Sequence, residues 1–184
     1  MLRQRSSTPW WRSPLQRTNA FAIVGSILFC AILQPHRIPG MVLLDTSPNW
    51  FLIWVVAWSA KRLPWQGLTA GIALGFIQDA LTAAQPTHAL SLGIAGFLTS
   101  SLDKQRLIAE DFISTLLLVF IMALLVETIF AGQLAIGGDW ELADIWVNLQ
   151  RAALSSAIIS SLWTPLLYVP LNYWWDRFNA RMDP

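Results

Sequence analysis

Six apolar stretches, at 19–38, 48–60, 65–84, 88–102, 112–136 and 152–174, alternate with short breaks that collect the charges, prolines and glycines. A hydrocarbon core of about 30 Å takes roughly 20 mostly apolar residues per helix. The first, third, fifth and sixth stretches meet that length. The stretches 48–60 and 88–102 are short, so each either tilts within a thinned bilayer or stops short of a full crossing. The pattern predicts an all-α membrane protein, a compact bundle of about six transmembrane helices, with five spans as the alternative.

Composition agrees with the pattern. Of 184 residues, 55% are hydrophobic and only 12% charged, against roughly 25% charged in a soluble domain. The length suits one bundle. The expected organisation is a basic, aromatic cytoplasmic arm at 1–18, a transmembrane domain at 19–175 and a short cytoplasmic tail at 176–184. Trp10 and Trp11, interleaved with arginines, suit the membrane interface. No small-x-small cleavage pattern follows the first apolar run, so the sequence reads as a retained first helix. A net charge of +1 points to no nucleic-acid partner, and the lone Cys30 allows no internal disulfide. His36 and His88 fall near segment ends and read as interfacial or packing histidines. No Cys/His cluster suggests a metal.

The distribution of Lys and Arg sets the orientation. With six spans and the N-terminus inside, ten basic residues face the cytoplasm, and only Arg37 and Arg151 face out. Asp45, Asp139, Glu141 and Asp144 fall on the outer side. This is a strong positive-inside bias. It implies a multi-pass plasma-membrane protein with both termini cytoplasmic. The segment 137–150 reads as the longest outer loop.

The third stretch carries the clearest motif. Gly67, Gly71 and Gly75 repeat every four residues, and Asp79 continues the series. On a helix they form one ridge without side chains, which lets another backbone approach closely. That neighbour is either another helix of this bundle or a helix of a partner. Asp79 and Glu127 lie inside apolar stretches, where a charge costs about 2.5–3.5 kcal/mol at mid-bilayer. Each should therefore face the bundle or a wet cavity, with Gln78 or Thr82 as local partners for Asp79. Asp79 lies 14 residues past Trp65, and Glu127 lies 15 past Phe112. At 1.5 Å per residue that is roughly 21–23 Å from the inner face for both. The two acids are thus expected at one level, around an outward-opening polar crevice. Trp163 and Pro165 sit in the last stretch, where Pro165 and Pro170 free the carbonyls of Ser161 and Leu166. Nearby Ser160, Ser161 or Thr164 can help satisfy such groups.

Catalytic signatures are missing. The sequence has no HExxH, no Gly-x-Ser-x-Gly and no Walker loop, and the serines Ser155, Ser156, Ser160 and Ser161 have no histidine in their segment. No cofactor is implied.

Three blocks together resemble the MreD family of bacterial rod shape-determining membrane proteins. The first is the Gly-rich 71–90 segment, running through Gly75-Phe-Ile-Gln-Asp79 to His88-Ala89-Leu90. The second is Leu124-Leu125-Val126-Glu127, and the third is Leu162-Trp163-Thr164-Pro165. The turn after Asp79 departs from the glycine-bearing family pattern. The resemblance implies a non-enzymatic subunit of the cell-elongation machinery that binds the single-pass protein MreC. Through MreC it would be linked to the MreB filament, the RodA polymerase and its penicillin-binding transpeptidase. It also implies a fold resembling the substrate-binding subunits of energy-coupling-factor transporters. Gly75, Asp79, Glu127, Trp163 and Pro165 carry over as structural or partner-binding candidates. A homo-oligomer stays open.

The rival reading is a substrate-binding subunit of such a vitamin transporter. It shares size and span count, and Asp79 and Glu127 would then hold a ligand.

Overall fold

The computed structural model describes residues 14–36, 40–44, 46–82, 86–102, 112–138 and 141–180. These form six helices: α1 (Pro14–Leu33), α2 (Trp50–Ser59), α3 (Pro64–Thr82), α4 (His88–Ser101), α5 (Phe112–Gly137) and α6 (Leu142–Ala180). Among the described residues there is no strand, only an isolated bridge between Leu43 and Thr46. Two helices are long and apolar enough to cross a membrane, over Ile113–Gly137 and Leu142–Trp175. Trp10, Trp11 and the first basic residues lie outside the described residues, as do Lys104, Arg106 and Asp139.

Two boundaries differ from the sequence reading. The first helix begins at Pro14, upstream of position 19; Pro suits a first helical turn, where its missing N–H has no partner to lose. The supposed loop 137–150 is mostly helix, because α6 starts at Leu142. Glu141 offers its carbonyl to the N–H groups of Asp144 and Ile145, and Asp144 lies in the positively polarised first turn. The connection between α5 and α6 shrinks to four residues, 138–141, with Gly138 at φ +75°.

The shortest helix occupies the centre. At ten residues α2 covers about 15 Å, half a hydrocarbon core. Its residues from Trp50 to Ala57 are all buried, as befits a helix that is apolar on every side. A buried N-terminus leaves N–H groups to satisfy. Asn49 accepts from Leu52 N at 3.1 Å, Gln34 of the α1 end accepts from Trp50 N at 3.1 Å, and Ser160 Oγ of α6 accepts from Asn49 N at 3.0 Å. Trp54 Nε1 donates to Ser26 Oγ of α1 at 2.9 Å, and its ring stacks on Trp58 at 5.7 Å.

The outer helices are turned inside out relative to a water-soluble bundle. On α6, Leu154, Ile158, Leu162, Leu166 and Val169 are exposed, while Ser155, Ser156, Ser160 and Thr164 are buried. On α5, Ile113, Leu117 and Ile121 face out, and Val119, Met122, Ala123 and Val126 face in. An exposed apolar belt of this extent suits lipid. Lipid tails are as apolar as leucine, so burial alone does not drive these helices together; close packing and interhelical hydrogen bonds must.

Candidate functional site

Close packing is most developed between α3 and α4, the most extensive helix–helix contact in the molecule. Gly67, Gly71 and Gly75 are all buried. A Cβ on Gly67 would strike the carbonyl of Gly96, one on Gly71 the carbonyl of Leu92, and one on Gly75 the backbone of Ala89. Gly96 faces Gly67 in the same way. The ridge is therefore covered by α4 of the same chain. The opposing α4 surface is also small, with Ala89, Gly93 and Gly96 on it.

Asp79 stands where this ridge meets the α3–α4 turn. Its carboxylate accepts from His88 N at 2.8 Å and from Thr87 Oγ1 at 2.5 Å, and His88 Nδ1 lies 2.7 Å away. Thr87 in turn accepts from Ala89 N at 3.1 Å as the N-cap of α4. An acid on one helix thus closes the start of the next, where N–H groups are free and the helix dipole favours negative charge. The expected local partners are displaced. Thr82 Oγ1 bonds its own helix at Gln78 O (2.9 Å), and Gln78 points into the bundle, with its Oε1 unpartnered among the described residues. Adjacent positions on a helix diverge by about 100°, which keeps Gln78 away from the Asp79 carboxylate.

His88 packs, as its position at a segment end suggested, but its bond to Asp79 was not foreseen. Its ring stacks on Phe130 of α5 with centroids 4.5 Å apart and planes at 22°, and it lies within electrostatic reach of Glu127. Gln133 Nε2 of α5 donates to Thr87 O at 3.2 Å. Two residues of α5 therefore grip the turn that Asp79 closes. Glu127, partly buried, takes a hydrogen bond from Ser156 of α6. Asp79 thus contacts His88 directly, and Glu127 stands within its electrostatic reach.

Glu127 also lines a cleft of about 300 Å³ between α5 and α6, walled by Phe130, Leu134, Ile145 and Leu149 and bearing Asn148. Trp163 stands elsewhere, with its ring tilted 60° to Trp50 at 6.4 Å. Pro165 follows Thr164, whose hydroxyl bonds Ser160 O at 2.8 Å rather than the Ser161 carbonyl that the proline frees. Trp163 belongs to the α2–α6 seam, and neither residue is among those around Asp79 or Glu127. Among the described residues no three His, Cys, Asp or Glu are grouped to hold a metal ion.

An all-helical chain with an apolar exterior, polar groups turned inward and two helices long enough to span defines a helical membrane protein. The profile of the family described as rod shape-determining protein MreD matches residues 16–174, and the chain belongs to that family. It is a shape-determining family, not a family of enzymes. No curated protein and no solved structure matches the chain.

Proposed function

We propose that this chain is a non-enzymatic integral membrane subunit of the bacterial cell-elongation complex. In this reading it binds an MreC-type single-pass protein in the plasma membrane and helps organise peptidoglycan synthesis and maintain cell shape. Membership of the rod shape-determining family over residues 16–174 is the observation that carries it. All six helices belong to the membrane, with both termini cytoplasmic, in an arrangement like that of the transporter substrate-binding subunits. The short α2 is sheltered at the centre and the turns at Pro86–Thr87 and Gly138 face outward. The Lys and Arg distribution supports this orientation. The glycine ridge is occupied internally, so the partner meets the exposed apolar faces or the outer turns.

The test is a tagged purification from native membranes, with mass spectrometry of every retained protein. A single-pass protein with a coiled coil and an extracytoplasmic domain is the expected companion. An ATPase module with a bound vitamin would overturn the reading in favour of a transporter subunit.

A further inference from the structure

The α5–α6 cleft holds a carboxylate with spare bonding capacity in an otherwise apolar space. Its volume of about 300 Å³ is at the lower end of the range for small-molecule pockets, roughly 300–1,000 Å³. The lining contains no cation, and its hydrogen-bonding side chains are those of Glu127 and Asn148. A carboxylate offers about four acceptor positions, and Ser156 uses one of them. His88 lies within electrostatic reach, but its Nδ1 is committed to Asp79 at 2.7 Å. Glu127 lies ten residues before Gly137, the last residue of α5, so it sits about 15 Å below the α5–α6 turn. A charge at that depth, surrounded by Phe130, Leu134, Ile145 and Leu149, is costly without a partner.

We propose that this cleft is a binding site for a ligand with an apolar body and a primary ammonium head, with Glu127 as its counter-ion and Asn148 as a second polar contact. An anion would be repelled by Glu127. A sugar would need more hydrogen-bonding groups than two side chains supply. A divalent metal would lack ligands, since no group of three His, Cys, Asp or Glu exists there among the described residues. A free amine and a lipid headgroup share this ammonium chemistry, and the volume accepts the head and its first apolar segment in either case. The site goes beyond the rod-complex reading and does not depend on it: partner retention and amine binding are separate measurements.

The test uses the full chain purified in a neutral detergent and titrated calorimetrically with phenethylammonium and, separately, with 2-phenylethanol. The ammonium is expected to bind and the alcohol to bind at least about tenfold more weakly, the scale of one charged hydrogen bond. Glu127→Gln should remove that preference. Ala152 also lines the cleft; Ala152→Phe, which fills it and leaves the carboxylate in place, should abolish binding of both probes. Equal affinity for ammonium and alcohol would overturn the proposal. So would a Glu127→Gln protein that keeps the preference, or, should that variant fail to fold, an Ala152→Phe protein that binds the ammonium normally. Repeating the titration in phosphatidylcholine nanodiscs with and without phosphatidylethanolamine separates the sources. Competition by the ethanolamine lipid assigns the site to a headgroup, and its absence assigns the site to a free amine.

Discussion

Asp79 and His88 hold each other across the α3–α4 turn, the carboxylate meeting both the backbone N–H of His88 at 2.8 Å and its ring Nδ1 at 2.7 Å. The pair closes the N-terminus of α4 and aims the imidazole at Phe130. The acid therefore has a structural duty separate from any contact with a partner.

That duty separates two substitutions at one position. Asp79→Leu removes the acceptor for His88 N and Thr87 and should cost about 1–2 kcal/mol, the scale of a lost helix cap. Asp79→Asn retains an acceptor oxygen and should lose less. Thermal melting in detergent gives the ranking. Retention of the single-pass partner should then be read with Asp79→Asn, where folding is least disturbed. Equal melting for both variants and the wild type would show that the cap carries no weight.

Gly71→Leu should fail to yield folded protein, since even a methyl would overlap the Leu92 carbonyl. Gly71→Ala is expected to cost about 1–3 kcal/mol, as overpacked sites do. Gly132, on α5, provides the control: nothing lies within 4 Å of a Cβ there, and Gly132→Ala should be neutral or stabilise by about 0.5–1 kcal/mol through helix propensity. Folded yield and melting temperature of the pair test whether close approach or glycine content matters.

Ser160→Ala leaves the buried N–H of Asn49 without its acceptor. A loss of about 1–3 kcal/mol is expected for an orphaned buried donor. Ser161→Ala removes only a bond to its own helix at Ile158 O and should be close to silent. Urea-free thermal unfolding followed by tryptophan fluorescence would register the difference, because Trp50 follows directly on Asn49.

Orientation can be read with single cysteines in a Cys30→Ala background. Gly138→Cys should react with a membrane-impermeant maleimide on intact cells, and Leu63→Cys only after permeabilisation. The opposite labelling would reverse the bundle in the membrane.

Legibility in the sequence followed from how local each relationship was. Gly67, Gly71, Gly75 and Asp79 announce one ridge because four-residue spacing stays on one helix face. The complementary surface, Ala89, Gly93 and Gly96, was equally visible but reads as a motif only once α3 lies against it. The pairing of His88 with Asp79 was missed because the two are nine residues apart across a turn, beyond any helical spacing rule. The start of α6 was misplaced although 142–150 is mostly apolar and no glycine or proline interrupts it: the charges of Asp144 and Arg151 broke the run, and the stretch was begun only at 152. The central place of α2 had a signal: Trp50 to Ala57 has no polar face to present to anything.

The backbone-to-backbone contact of α3 and α4 leaves no side-chain layer between them to yield. Those two helices form one close-packed plate, and the open space in the bundle lies instead between α5 and α6, where the cleft stands. Uptake of a neighbour in the membrane would thus be read at Phe130 and Gln133, the points where α5 touches the plate.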